Sequence, residues 1–186
     1  MFIIEVFQKY LMRLIVFFLI FISLNKIVMA EEKKAYFAGG CFWCVEEAFE
    51  KTPGVLKAIS GYTGGDLKNP TYEQVTYNET GHYEAVEVVY DPKVISYKQL
   101  LDVFWKNIDP YDAQGQFCDK GSSYLTAVFY QNDEEKLAFE DSKKKLGKSD
   151  ISNFVTHLKK LDVFYPAEDY HQDYYKNNPI RYKLYK

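Results

Sequence analysis

The sequence predicts an α+β domain, a two-layer sandwich of helices on a mixed or antiparallel sheet, following an N-terminal signal segment. Three observations carry this. Stretches with period-two apolar patterning interleave with stretches of helical spacing, without the regular strand–helix–strand spacing of a doubly wound sheet. No repeat, low-complexity tract or linker divides residues 31–186, so they read as a single domain. A hydrophobic content of 47% with 18% aromatics excludes disorder, and the 17 tyrosines suit an interior that holds hydrogen bonds at its edges.

Residues 1–30 stand apart. Residues 14–24 are an eleven-residue apolar run interrupted by Ser23, preceded by Lys9 and Arg13 and followed by Val28-Met29-Ala30. A basic start, an apolar stretch too short to span a bilayer comfortably and a small residue before Glu31 describe an export signal. An uncleaved membrane anchor is the alternative, and Met12 offers a second start with a leader of the same type. The leader carries Lys9, Arg13 and Lys26 against Glu5, so its removal takes the net charge from −3 to −5. No basic patch of the nucleic-acid kind remains, and an exported, extracytoplasmic location is expected.

Residues 35–38 read as a buried strand running into Gly39-Gly40, and Phe42, Val45, Ala48 and Phe49 then follow helical spacing to about Lys51. Pro53-Gly54 ends that helix. Residues 55–62 form a strand, Gly61 to Gly65 a turn, and Asn69-Pro70-Thr71-Tyr72 a second turn. A strong strand over 83–90 stops at Asp91-Pro92. Ser96 caps a helix striped with Tyr97, Leu100, Leu101, Phe104, Trp105 and Ile108. A long loop over 109–123 carries Cys118 and Asp119, and loops of that length in small domains are commonly functional. Residues 124–130 form a strand and Asn132 caps a charged helix to about Gly147. Residues 151–165 look extended, 166–175 look like a short polar helix, and a basic, tyrosine-bearing tail ends the chain.

The chemistry starts at Cys41. A thiol at a helix start faces unpaired N–H groups and the positive end of the dipole, which favour thiolate. All three cysteines, Cys41, Cys44 and Cys118, lie beyond the leader, and an odd number leaves at least one outside any intrachain disulfide. Cys41-Phe42-Trp43-Cys44 admits four readings. A zinc site would need Cys118 and a histidine besides. Haem attachment needs histidine where Val45 stands. A general thiol–disulfide oxidoreductase fits the pair, although the Gly-Gly lead-in is unusual for it. The fourth is an enzyme in which Cys41 attacks an oxidised substrate and a second thiol resolves the product.

Glu84 bears on the choice. Period two places it on one strand face with Val86, Val88 and Tyr90, where desolvation raises a carboxyl's pKa and makes it a proton donor near neutrality. The competing reading is a strand-entry glutamate, after Gly81-His82, that reaches solvent. Glu87, on the opposite face, is expected to be exposed. His82, His157 and His171 are expected to be structural or surface residues.

These residues belong to a larger pattern. Gly40-Cys41-Phe42-Trp43, Gly61-Tyr62-Thr63-Gly64-Gly65, Asn69-Pro70-Thr71-Tyr72, Thr80-Gly81-His82-Tyr83-Glu84, Tyr90-Asp91-Pro92 and Asp119-Lys120-Gly121-Ser122-Ser123-Tyr124 appear in one order across about residues 35–180. In this the chain closely resembles the A-type peptide methionine sulfoxide reductases. The resemblance implies that Cys41 attacks the sulfoxide sulfur and Glu84 protonates its oxygen. It implies that Tyr72 and Tyr124 hydrogen-bond that oxygen, that Asp119 lines the site, and that Phe42 and Trp43 form the methyl pocket. It further implies selectivity for the S epimer, no metal or organic cofactor, a thioredoxin-like reductant and a monomer.

The match is not complete. Many relatives have glycine in place of Cys44 and resolving cysteines in a C-terminal tail, whereas this tail ends Ile180-Arg181-Tyr182-Lys183-Leu184-Tyr185-Lys186. Resolution of the sulfenic acid therefore falls to Cys44, three residues along the helix and within disulfide range, or to Cys118, or to both in sequence.

Overall fold

The computed structural model describes Met12 and residues 31–77, 79–146 and 153–185. The expected leader over 1–30 lies, Met12 apart, outside the described residues, as do the expected helix end at Gly147 and the start of the extended stretch at Ile151. Among the described residues no helix is long and apolar enough to cross a membrane.

Strand β1 (Lys33–Gly39) runs into helix α1 (Phe42–Glu50), followed by β2 (Val55–Thr63), α2 (Tyr72–Tyr77) and β3 (Tyr83–Tyr90). Next come α3 (Tyr97–Lys106), a small hairpin of β4 (Gly115–Gln116) and β5 (Asp119–Lys120), and β6 (Thr126–Tyr130). Helix α4 (Asp133–Leu146), β7 (His157–Lys160), β8 (Phe164–Pro166), α5 (Tyr174–Asn177) and α6 (Pro179–Tyr185) complete the chain. Six strands form one sheet in the order β7-β6-β1-β3-β2-β8, antiparallel throughout except for the parallel pair β6 and β7. The fold is the expected α+β arrangement on a mixed sheet.

Both faces of this sheet are covered. On one, Phe37, Val86, Val88 and Val128 pack against Phe42, Val45 and Phe49 of α1 and Leu100, Leu101 and Phe104 of α3. Trp105 ties α3 to α4 by donating to Ser142 Oγ at 3.1 Å. On the other face Tyr36, Tyr83, Ala85 and Phe129 form a second apolar cluster joined by Leu161 and Phe164. Every residue of β3 is therefore buried, and Glu87 is not the exposed residue its parity suggested. It lies under the second cluster, 7% exposed, accepting from Tyr36 at 2.7 Å and from Lys34 at 3.0 Å.

Local signals placed most elements. Ser96 closes a capping box with Gln99, and Asn132 Oδ1 accepts from the Glu135 N–H at 3.0 Å. Tyr72 opens a helix rather than trailing a turn, and Tyr124 closes a short 3-10 helix (Ser122–Tyr124) two residues before its strand begins. The polar helix expected over 166–175 is a 3-10 turn at Asp169–His171 followed by α5. The tail, with no element expected, forms α6, whose Tyr182 hydroxyl donates to Glu47 at 2.7 Å.

Candidate active site

Gly40 fixes where the nucleophile stands. Its φ of +81° is accessible to glycine at no cost, and a β-carbon there would meet Gln116 Cβ at 2.5 Å. The close approach brings the long 109–123 loop directly beneath the start of α1. Gln116, 1% exposed, holds that loop shut: its amide oxygen accepts from Asp109 N–H at 2.7 Å while its nitrogen donates to the Asp109 carbonyl at 2.9 Å. Nothing in the sequence pattern marked this glutamine.

Cys41 occupies the N-cap position of α1 and is 7% exposed. The helix's first N–H, that of Phe42, does not serve the thiol. It donates at 3.0 Å to Glu84 Oε2. Glu84 and Cys41 are thus joined through one peptide unit, with Glu84 2% exposed on the predicted face of β3. Burial pushes its pKa up to about 8 even though the Phe42 N–H and the Tyr124 hydroxyl act in the opposite sense. The carboxyl is consequently protonated at neutral pH and able to donate.

The thiol departs from expectation. Its pKa lies well above the ordinary value, first because the Cys44 side chain is hydrogen-bonded to it, then because of burial and the nearby Glu84 carboxyl; the Tyr185 hydroxyl pulls the other way. The helix start favours a thiolate less than the sequence argument supposed, because the donor that argument relied on is engaged by Glu84.

Two phenols complete the polar side. The Tyr72 and Tyr124 hydroxyls lie beside each other, and Tyr124 also lies near Glu84, close enough for each to influence the others' titration. Burial raises the pKa of both, so they stay protonated and can donate to an oxygen. Tyr72 is anchored by Glu168, whose carboxylate accepts from the Tyr72 N–H at 2.9 Å and from the Tyr62 hydroxyl at 2.8 Å.

The apolar side is a ring stack. Phe42 and Trp43 lie 6.0 Å apart, Trp43 stacks on Tyr174 at 3.8 Å, and His171 fills the space between Phe42 at 5.0 Å and Tyr72 at 4.4 Å. His171 is buried, and burial lowers its pKa, so it packs as a neutral ring. His82 is structural, accepting from the Gly65 N–H at 3.2 Å, and His157 bonds the Tyr83 hydroxyl at 2.8 Å.

All three thiols open onto one cavity of about 450 Å³, lined also by Gln116, Asp119 and Tyr185. Cys118, exposed at the tip of the β4–β5 hairpin, and Cys44, half-buried on α1, face the same space as Cys41. No histidine lines it, and no group of three or more metal-ligating side chains occurs among the described residues. Tyr185, from α6, is the member that sequence reasoning missed: its hydroxyl donates to Asp119 Oδ2 and contacts Cys41.

A buried thiol beside a protonated carboxylic acid and two phenols, walled by aromatic rings, defines a thiol-dependent reductase acting on a small polarised group. Comparison with known proteins gives the family. The model of the peptide methionine sulfoxide reductase family matches residues 33–186. The chain is 53% identical over 161 residues to peptide methionine sulfoxide reductase MsrA of Bacillus licheniformis, covering 85% of this chain and 89% of that protein. Methionine sulfoxide reductase A of Corynebacterium diphtheriae superposes with a TM-score of 0.74 at 30% identity, over 82% of this chain and 78% of that one. Mxr1 of Saccharomyces cerevisiae in reduced form superposes with a TM-score of 0.72 at 30% identity, over 81% and 88%. In complex with Trx2, Mxr1 gives 0.51 at 23% identity, over 80% and 91%. The chain belongs to the peptide methionine sulfoxide reductase family.

Proposed function

We propose that the chain reduces the S epimer of methionine sulfoxide, in oxidised proteins and as the free amino acid, outside the cytoplasm. The bond between the Phe42 N–H and Glu84 carries the reading, because it sets a neutral acid beside the nucleophile. A sulfoxide sulfur resists attack until its oxygen accepts a proton or strong hydrogen bonds. Glu84 supplies the proton, Tyr72 and Tyr124 the hydrogen bonds, and the Phe42 and Trp43 rings an apolar wall for the S-methyl group. Asp119 borders the same space.

The steps balance. Cys41 sulfur attacks the sulfoxide sulfur and the S–O bond breaks. The oxygen passes to Cys41 as the transient sulfur–sulfur bond breaks, methionine leaves, and the thiol proton replaces the one Glu84 gave to the oxygen, leaving Cys41 as the sulfenic acid. A second thiol then attacks the sulfenic sulfur, releasing water and forming a disulfide. Cys44 is the resolving thiol favoured by its hydrogen bond to Cys41, and Cys118 faces the same cavity. A dithiol donor of the thioredoxin type returns the enzyme to its reduced state, in line with the Mxr1 complex with Trx2. The apolar run and basic flank of residues 1–30 support export, which requires an extracytoplasmic donor.

The test supplies separate S and R sulfoxide epimers and dithiothreitol to wild type and to Cys41→Ser. Wild type should consume the S epimer alone and Cys41→Ser neither; equal activity of the two proteins would end the reading. Mass mapping of the disulfide formed in a single turnover identifies the resolving cysteine.

A further inference from the structure

The C-terminal helix reaches further into the site than the chemistry above uses. Tyr185 is the last residue of α6, and three contacts converge on its side chain. Its hydroxyl donates to Asp119. The same hydroxyl lies near Cys41, with which Tyr185 lines one cavity, close enough to influence the thiol's titration. Its ring meets Trp43 edge-on, centroids 6.0 Å apart at 78°. The ring therefore rests against the methyl-slot wall with its polar end at the nucleophile, where a sulfoxide's methyl group and sulfur must go. Cys41 is 7% exposed beneath it. Tyr185 itself is 37% exposed, on a helix whose Ile180 and Leu184 face solvent at 77% and 84%. Tyr182, buried and bonded to Glu47, anchors this helix, but its last turn past Tyr182 buries little apolar surface, so there a polar contact carries much of the closure.

We propose that Tyr185 is the gate of the active site: latched to Asp119, it closes over Cys41 in the reduced enzyme and yields when a methionine sulfoxide side chain enters. This rests on the reductase reading for the identity of what enters. The gate itself is a property of the thiol's accessibility. It has a chemical rationale, since a reduced nucleophile left open would be consumed by adventitious oxidants, whereas a substrate that contacts Trp43 and Asp119 replaces the contacts Tyr185 gives up.

The experiment measures labelling of Cys41 by iodoacetamide in the reduced full-length chain, with fragmentation of the tryptic peptide spanning 35–51 to separate Cys41 from Cys44. Tyr185→Ala, which removes ring and latch, should label about tenfold faster than wild type, and Tyr185→Phe, which keeps the ring but loses the bond to Asp119, about threefold faster. Matching thermal melts establish that both variants are folded. Equal labelling of wild type and Tyr185→Ala overturns the gate; fast Tyr185→Ala with unchanged Tyr185→Phe overturns the latch on Asp119. Labelling needs no turnover, so failure of the reductase reading would appear separately, as a wild-type chain inactive on sulfoxide.

Discussion

Glu84 and Glu87 stand three residues apart on the same strand, on opposite faces, and both are buried. Their surroundings differ in one respect that decides their chemistry. Glu87 has a cation, with Lys34 Nζ at 3.0 Å and the Tyr36 hydroxyl at 2.7 Å. Glu84 accepts from a backbone N–H and lies near the Tyr124 phenol and the Asp119 carboxylate, with no ion pair to a cation among the described residues. Burial alone does not make a general acid. Burial without a counter-ion does, because desolvation then goes uncompensated and the proton stays on the carboxyl.

The largest effect that tests this contrast is kinetic. Glu84→Gln keeps a hydrogen-bonding side chain but has no proton to give, and kcat/KM for the S epimer should fall by about two orders of magnitude, within the usual range for a general acid. Glu87→Gln should leave kcat unchanged. The pH profile sharpens the comparison. With its pKa near 8, Glu84 is in the acid form at neutrality and loses its proton as pH rises through that value. Because the Cys41 thiolate fraction rises with pH over the same window, wild-type activity should level off above pH 8, whereas the residual activity of Glu84→Gln should keep rising. Parallel profiles of the two proteins from pH 7 to 9 would remove Glu84 from the role of donor.

Smaller effects belong to the phenols. Tyr124→Phe and Tyr72→Phe each delete a donor aimed at the oxygen, and each should lower kcat by about tenfold. Because the two hydroxyls lie side by side and influence each other's titration, the double variant should lose less than the product of the single losses. Strictly multiplicative losses would mean that the pair does not act on a common oxygen.

The sequence carried the skeleton of this site because its signals are local. Period two gave the face of Glu84, the capping serine gave α3, and the Gly-Gly before Cys41 gave the strand–helix junction. What escaped depends on distant contacts. Glu87 was read as exposed because alternation assumes a one-sided sheet, and Tyr36, Tyr83 and Phe129 cover the second face. Gln116 matters only because Gly40 lets the loop come close. Tyr185 sits in a run of basic and tyrosine residues with no motif, and its importance follows from where α6 docks. The raised pKa of the Cys41 thiol has a partly similar origin: besides the Cys44 side chain and burial, it is raised by the Glu84 carboxyl, supplied by a strand more than forty residues away.

The comparison is also tested through stability, where Glu87→Gln gives the smallest of the expected effects. For Glu84 the folded pKa, about 8, lies above the unfolded value of about 4.3. Between those values the folded state binds a proton that the unfolded state has released, so its contribution is complete below about pH 4.3 and drains away as pH climbs to 8. Glu84→Gln removes this liability and should be the more stable protein at pH 8, by on the order of a few kcal/mol, while being the poorer catalyst. Glu87→Gln should run the other way. It breaks the ion pair with Lys34, which is half exposed and so screened, and weakens the bond from Tyr36, costing about 1 kcal/mol. Denaturant melts of the two variants at pH 5 and pH 8 read both signs at once. If Glu84→Gln destabilises the fold at pH 8 as Glu87→Gln does, the two carboxylates are both structural, and the acid that serves Cys41 lies elsewhere.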